Sequence, residues 1–190
     1  HMDQAMPGMN MTFWQFLSRT LSAPAENETT RIETLAKLQT AIQSMPFLPG
    51  FESELNALFR AALGEGMGDI PVFIRSDTNM EDLKEFTGAG LNLTLFNVVD
   101  KSKILEGIKD VWASPYTERS FKWRQKYLLN PENVFPSILV IPSVDVDYSG
   151  VLITKGLTSG NDQDLTIAFS RGAGGAVDGQ SSETYLLKDT

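Results

Sequence analysis

Cysteine is absent from the 190-residue sequence, and histidine occurs once, as His1. Without cysteine the chain can form no disulfide, hold no metal through thiolates and offer no Cys nucleophile. The His1-Met2 start is typical of a cloning scar, which leaves the native segment without any histidine. The sequence therefore excludes Ser-His-Asp hydrolysis, imidazole ligation of a metal and phosphorylation of a histidine within this chain. The lack of cysteine also fits a reducing compartment, and we expect a cytoplasmic location.

Basic residues are outnumbered, since 16 Lys and Arg stand against 24 Asp and Glu and give a net charge of -8. Nucleic-acid binding needs a basic surface that displaces counterions from phosphates, and this balance disfavours it. An anionic membrane surface is disfavoured for the same reason. Long apolar runs are missing too, because the longest, at residues 138–141, falls far short of the roughly 20 residues that a spanning helix needs. We expect neither a nucleic-acid nor a membrane partner.

The composition, with 42% apolar and 21% charged residues, is typical of a folded domain with a buried core. Apolar residues at helical spacing predict helices within residues 13–21, 32–45, 51–62, 104–112 and 121–128, and Ser114-Pro115 suits the start of the last. Short β-type runs predict strands at 70–74, 137–141, 151–154, 165–169 and 184–187. Helices first and strands later indicate an α+β or mixed α/β arrangement.

The densest chemical signal begins at Arg75, where the predicted strand runs into a polar, glycine-bearing loop. An arginine there places a permanent forked cation at a sheet edge, and phosphate matches that fork bidentately. The stretch Gly88-Ala89-Gly90 has no bulky side chain, so backbone N–H groups can approach an anion closely. Thr94 adds a hydroxyl group. Together these features predict an anion site.

Two interpretations of the neighbouring acidic residues stay open. Glu81 and Asp82 either form an ordinary salt bridge with Arg75 or help to hold Mg²⁺, which prefers oxygen ligands. A Gly-x-Gly stretch is, in the same way, often just a turn.

Arg119 and Arg124, on a predicted helix, also allow two interpretations. They either extend the anion surface or pair with acidic residues of the same helices, such as Glu118.

The string I-R-S-D-T-N-M-E-D-L at residues 74–83, followed by G-A-G at 88–90, Thr94 and N-V at 97–98, resembles the N-terminal ATP-binding domain of the dikinase family. That family contains phosphoenolpyruvate synthase, pyruvate phosphate dikinase and the glucan, water dikinases. Three further strings continue the resemblance in family order. They are W-A-S-P-Y-T-E-R at 112–119 with W-R at 123–124, S-G-V-L-I-T at 149–154, and G-A-G at 172–174 with Gly179.

The resemblance implies an ATP-grasp fold, with helices plus a mostly antiparallel sheet, truncated at both ends. Residues 1–30 would be the scar and a lead-in. Residues 31–190 would be a partial ATP-grasp domain, with a helix-rich lobe at 31–136 that carries the phosphate loop and a β-rich adenine-side lobe at 137–190.

The resemblance also implies the ligand and its contacts. The arginine matching Arg75 contacts the phosphates of ATP and is the catalytic residue, the glycine loop covers them, and the strand before S-G-V contacts adenine, largely through its backbone. The implied ATP-binding residues are Arg75, Ser76, Glu81, Asp82, Gly88, Ala89, Gly90, Thr94, Val140, Ile141 and Ser143. Mg²⁺ is implied as a second cofactor, with its ligands outside this sequence.

In such enzymes the phosphoryl group passes from ATP to a histidine on a separate domain and then to an acceptor such as pyruvate or glucan. The implied partners are therefore ATP and the phosphohistidine and acceptor-binding domains of a longer protein. This chain departs from the family pattern at Ile141-Pro142, Gly156-Leu157 and Gly175. Those departures keep open a catalytically dead module with a regulatory or assembly role. A generic binding domain without a nucleotide site is a third hypothesis.

Overall fold

The computed structural model describes residues 1–22, 28–79, 82–83, 86–87, 91–127, 134–175 and 182–188, with the backbone alone at 22, 82–83, 86–87 and 127. The chain divides into two compact units, residues 1–142 and residues 143–190. Within the described ranges the first unit contains five α-helices and a three-stranded sheet, and the second contains another three-stranded sheet. The predicted α+β class is confirmed. The ATP-grasp arrangement and the lobe boundary at residues 136/137 stay predictions.

The helices of the first unit follow the apolar spacing of the sequence. Leu35, Leu38 and Ile42 recur every three or four residues and are buried, because that spacing places them on one face of their helix. All five predicted helices are confirmed, as α1 (Phe13–Ser22), α2 (Glu28–Ser44), α3 (Phe51–Leu63), α4 (Lys101–Ala113) and α5 (Glu118–Tyr127).

The start of α5 differs from the prediction. Ser114 follows the last residue of α4 and opens a 3-10 turn, Ser114–Tyr116, and its hydroxyl donates to the Val111 carbonyl at 2.9 Å. Thr117 precedes α5, and its hydroxyl accepts a hydrogen bond from the Ser120 N–H at 3.3 Å, as an N-cap does. The prediction that Ser114 starts this helix was wrong because two capping hydroxyls lie three residues apart, and local sequence does not say which one starts the longer helix.

The sheet of the first unit joins β1 (Val72–Thr78), β4 (Thr94–Val98) and β5 (Pro136–Pro142) in the order β4-β1-β5, with both pairs antiparallel. A short hairpin of β2 (Asp82–Leu83) and β3 (Phe86–Thr87) intervenes along the chain. β1 continues past the predicted end at residue 74, because Ser76 and Thr78 extend its buried alternation. β4 lies where the sequence predicted no strand.

The core of the first unit lies on one face of this sheet. α4 contacts all three strands and also α2. Ile104, Ile108 and Val111 of α4 pack with Val72 and Ile74 of β1 in one buried cluster. A second cluster joins α1, α2 and the 3-10 turn, and its members include Phe13, Leu17, Leu35, Leu38, Ile42 and Tyr116. The opposite face of the sheet carries the exposed residues of β1.

The second unit is an antiparallel sheet in the order β6-β7-β8, formed by β6 (Tyr148–Ile153), β7 (Leu165–Arg171) and β8 (Glu183–Leu187). The Ser149 hydroxyl donates to the Gly172 carbonyl at 2.6 Å and accepts from the Gly174 N–H at 2.9 Å. These two bonds fix the glycine turn that follows β7, where both glycines have positive φ. The strands predicted at 137–141, 151–154, 165–169 and 184–187 are all confirmed. Across the described ranges, no helix is long and apolar enough to cross a membrane.

Candidate functional site

Alternation along β1 separates the two faces of the first sheet. Ile74 and Ser76 are buried, whereas Arg75 between them is exposed. Successive residues of a strand point to opposite faces, so Arg75 lies on the face that the core leaves uncovered.

The register of the sheet places a threonine opposite Arg75. Arg75 pairs with Thr94 on β4 and with Leu139 on β5. Directly opposed residues of antiparallel strands share a face, with Cβ atoms about 4.5–5.5 Å apart. The side chains of Arg75 and Thr94 therefore extend from adjacent positions on the same face of the sheet.

No ion pair of Arg75 occurs within the part of the chain that the structure describes. Glu81 lies outside the described residues, and of Asp82 only the backbone in β2 is described. The surface around Arg75 is thus open to an anion at the described positions.

The other predicted contacts divide between the two faces. Ser76 is buried on the core side, and Val140 also packs against the core. Ile141 is 36% exposed and pairs with Phe73, which places it on the face of Arg75. Ser143 opens the second unit, and its buried hydroxyl has no hydrogen-bond partner within the described part of the chain. Side-chain contact with a ligand on the Arg75 face is therefore open to Ile141 but not to Val140.

Gly88, Ala89 and Gly90 of the predicted glycine loop lie outside the described residues. The segment that follows them, up to Thr94, is described from residue 91 onward. Leu93 accepts a hydrogen bond from the Ser76 N–H at 3.3 Å and donates its own N–H to the Ser114 hydroxyl at 3.1 Å. The hydroxyl of Ser120 donates to the Asn92 side-chain carbonyl at 3.1 Å. Three hydrogen bonds thus fix the two residues that precede Thr94.

Sequence reasoning missed these three bonds. Ser114 lies in the W-A-S-P string, but the sequence predicted it to cap a helix rather than to bind the chain beside Thr94. The partners of each bond lie at least 17 residues apart, since Leu93 bonds Ser76 across 93 − 76 = 17 positions, so no local pattern reveals the contact.

The sequence also did not predict a cavity of about 560 Å³, which lies at the C-terminal end of β1, beside Asp77 and Thr78. Its wall is largely apolar, with Trp112, Tyr116 and Phe135 among the lining residues, and Asp77 and Asn79 lie at its polar part. Its described lining residues include no Lys or Arg, which makes it a poor fit for phosphate groups.

A metal site does not emerge from the described residues, among which no group of three or more His, Cys, Asp or Glu side chains could hold an ion. The prediction that Mg²⁺ ligands lie outside this sequence stays a prediction.

Comparison with known proteins identifies the family. Residues 11–189 match the model of the pyruvate phosphate dikinase, AMP/ATP-binding domain. The phosphoenolpyruvate synthase of Pyrococcus furiosus is 27% identical over 146 residues, which are 76% of this chain and 18% of that protein. A probable phosphoenolpyruvate synthase of Staphylothermus marinus is 30% identical over 151 residues, which are 77% of this chain and 18% of the relative. The rifampicin phosphotransferase of Bacillus cereus is 33% identical over 118 residues, which are 61% of this chain and 14% of the relative.

The chain thus spans less than a fifth of the length of these curated relatives. The family match covers both units and every string on which the resemblance was based, which confirms the resemblance. The chain belongs to the pyruvate phosphate dikinase AMP/ATP-binding domain family.

Proposed function

We propose that this chain binds the phosphates of ATP through Arg75, on the exposed face of the β4-β1-β5 sheet. The observation that supports the proposal is the cross-strand pairing of Arg75 with Thr94, which gives an exposed arginine and a threonine adjacent positions on one face of the sheet. Phosphate oxygens accept hydrogen bonds from both groups, and the guanidinium fork can bind two oxygens at once. The family supports ATP as the ligand, because its model describes an AMP/ATP-binding domain.

The remaining nucleotide contacts are part of the same proposal. Gly88, Ala89 and Gly90 would lie over the phosphates and bind them through backbone N–H groups, as the resemblance implies. Adenine would bind along the backbone of residues 140–143. Support for this comes from the position of β5 at the end of the described sheet, because an edge strand has backbone N–H and C=O groups available for a planar base.

The resemblance to the dikinase family implies what the bound nucleotide does. We propose that the phosphoryl group of ATP passes to a histidine on a separate domain of the longer protein and from there to an acceptor. This chain has no histidine besides His1, so the acceptor histidine must come from elsewhere. Phosphoryl transfer depends mainly on positioning and charge neutralisation, and Arg75 would supply both at the phosphates. Mg²⁺, when bound with the nucleotide, would add further charge neutralisation.

The acceptor is not specified by this domain. The similar proteins include phosphoenolpyruvate synthases and a rifampicin phosphotransferase, whose names indicate unrelated acceptors. We therefore propose that pyruvate, glucan or another acceptor binds to a different part of the longer protein. The family match does not favour the regulatory alternative.

The proposal is tested by nucleotide binding to this chain and to three variants. Titration with Mg-ATP, followed by NMR chemical shifts, should give a dissociation constant in the millimolar range for the unmodified chain. Arg75→Met should weaken binding about tenfold or more, because a hydrogen bond to a charged group contributes about 1.5–3 kcal/mol. Arg75→Lys keeps the positive charge but lacks the planar fork of the guanidinium. Its affinity for Mg-ATP should lie between that of the unmodified chain and that of Arg75→Met.

The matched control is Arg19→Met, which removes an exposed arginine of α1 and changes the net charge equally. It should leave the affinity unchanged. Equal ATP affinity in the unmodified chain and in Arg75→Met would refute the assignment of the phosphate site.

A further inference from the structure

Arg124 on α5 is a buried charge. Arg124 is 2% exposed, and its Nε and Nη2 atoms have no hydrogen-bond partner among the residues that the structure describes. No acidic side chain in the described part of the chain pairs with it. Glu118, the expected partner, pairs instead with Lys122 at 2.7 Å. Of the two interpretations drawn from the sequence, an ion pair with Glu118 is therefore wrong for Arg124, and its burial also removes it from any anion-binding surface.

Burial of this guanidinium costs the fold free energy. A buried charge without a counter-charge loses its hydration, and each unsatisfied N–H adds to that loss. Burial lowers the pKa of Arg124 to about 10, partly opposed by Tyr116, so the group is still charged at neutral pH. An apolar side chain of similar length would avoid these costs. Stability alone does not account for an arginine at this position.

The guanidinium of Arg124 forms two hydrogen bonds, to Pro115 and to Ser120. Its Nη1 atom donates to the carbonyl of Pro115 and, at 3.3 Å, to the hydroxyl of Ser120. Each of these contacts leads to the chain beside Thr94. The Ser120 hydroxyl donates to the Asn92 side chain at 3.1 Å.

The second connection runs through the 3-10 turn. Pro115 is adjacent to Ser114, whose hydroxyl accepts the N–H of Leu93 at 3.1 Å. A single guanidinium nitrogen therefore fixes both the turn and the serine that bind residues 92 and 93. Those two residues come immediately before Thr94, the cross-strand neighbour of Arg75.

We propose that Arg124 is a positioning residue for the nucleotide site, and that it fixes the segment 92–94 so that Thr94 stays paired with Arg75 across the two strands. Arg124 touches no nucleotide, and it acts through Pro115 and Ser120. The inference rests on the proposed function for its effect on ATP, but its effect on residues 92–94 does not depend on a ligand.

The test uses the 190-residue chain and two variants that break the connection at different points. Arg124→Met removes the guanidinium and leaves a side chain of similar length in its place. Ser120→Ala keeps the guanidinium and removes the bond to Asn92. Lys122→Met is the control, because it removes an exposed charge from the same helix. Three quantities are measured for each: the melting temperature, the amide exchange rate of Leu93 without nucleotide, and the affinity for Mg-ATP.

Arg124→Met should melt at or above the temperature of the unmodified chain, because it relieves the buried charge. It should nevertheless raise the Leu93 exchange rate about fivefold to tenfold, as expected for loss of about one hydrogen bond, and weaken Mg-ATP binding by a similar factor. Ser120→Ala should change exchange and affinity in the same direction, and Lys122→Met should change neither. A stable Arg124→Met variant with reduced affinity separates positioning from a merely structural role.

The outcomes distinguish the two proposals. If the unmodified chain binds no ATP, the proposed function fails, while faster Leu93 exchange in both variants still supports the role of Arg124. Unchanged Leu93 exchange in Ser120→Ala and Arg124→Met overturns that role even if ATP binds to Arg75. If Arg124→Met does not fold, the arginine is structural, and unchanged exchange and affinity in Ser120→Ala then also overturn the proposal.

Discussion

Gly68→Ala is expected to destabilise the first unit much more than Gly64→Ala, although both glycines have positive φ. The φ angle is 80° at Gly64, the residue after α3, and 100° at Gly68, in the turn before β1. A positive φ costs an L-residue about 1–2 kcal/mol, and the reduced freedom of the unfolded chain offsets about 0.4–1 kcal/mol of this. A Cβ atom at position 64 would meet nothing within 4 Å. At position 68 it would lie 2.7 Å from the Lys101 nitrogen and 3.3 Å from the Asp100 carbonyl carbon.

Those neighbours are backbone atoms at the start of α4, the helix that supports β1, so they cannot rotate away as a side chain would. Crowding of this kind costs about 1–3 kcal/mol, which brings the expected loss to about 2–4 kcal/mol for Gly68→Ala against about 1 kcal/mol for Gly64→Ala. Urea unfolding, monitored by tryptophan fluorescence, measures the free energy of unfolding of each variant. Both values are compared with that of the unmodified chain. A loss for Gly68→Ala no larger than that for Gly64→Ala would refute the close approach of the turn to α4.

Three further predictions concern the core, a buried phenol and the second unit. Leu38→Ala, at a position with 0% exposure, should cost about 2–5 kcal/mol in urea unfolding, whereas Leu58→Ala, at 63% exposure, should stay within about 0.5 kcal/mol. Burial raises the pKa of Tyr116 from 10.0 to about 12, opposed by the Arg124 charge. The unfolded chain therefore loses this proton first, so the contribution of Tyr116 to stability should fall by roughly 2 kcal/mol between pH 10 and 12. Arg124, whose pKa burial lowers to about 10, contributes in the opposite direction over the same range. Tyr116→Phe should abolish this contribution of Tyr116 to the pH dependence of stability. It should also remove the tyrosine that ionises near pH 12 when the chain is titrated by tyrosinate absorbance. Ser149→Ala should raise amide exchange at Gly174 about tenfold by removing its acceptor, and an unchanged rate would contradict the described turn.

The sequence predicted the helices and the strands of the second unit because each has a regular apolar period. It did not predict β4, whose residues are only partly buried and follow a glycine-bearing stretch, so that neither composition nor alternation marks a strand. The pairing with β1 supplies what the local sequence lacks. The start of α5 was misplaced for a related reason, since Ser114 and Thr117 both suit a cap and tertiary contacts decide between them.

Within the candidate site, the family string contains both Arg75 and Thr94, and the pairing of β4 with β1 gives them adjacent positions on one face of the sheet. Their contact with phosphate stays a prediction. The support beneath them could not be predicted. The contacts of Arg124 with Pro115 and Ser120, and of Ser120 with Asn92, join three elements, and each bond depends on how those elements pack. An arginine on a helix with acidic neighbours looks like a surface residue until its burial is known.

The most direct test of the central claim compares ATP with AMP in the unmodified chain and in Arg75→Met. If Arg75 binds the phosphates beyond the first, the unmodified chain should prefer ATP over AMP. The variant should lose most of that preference, about tenfold, while its affinity for AMP changes much less. If Arg75→Met keeps the same ratio of ATP to AMP affinity as the unmodified chain, the guanidinium does not receive the distal phosphates, and the proposed site is wrong.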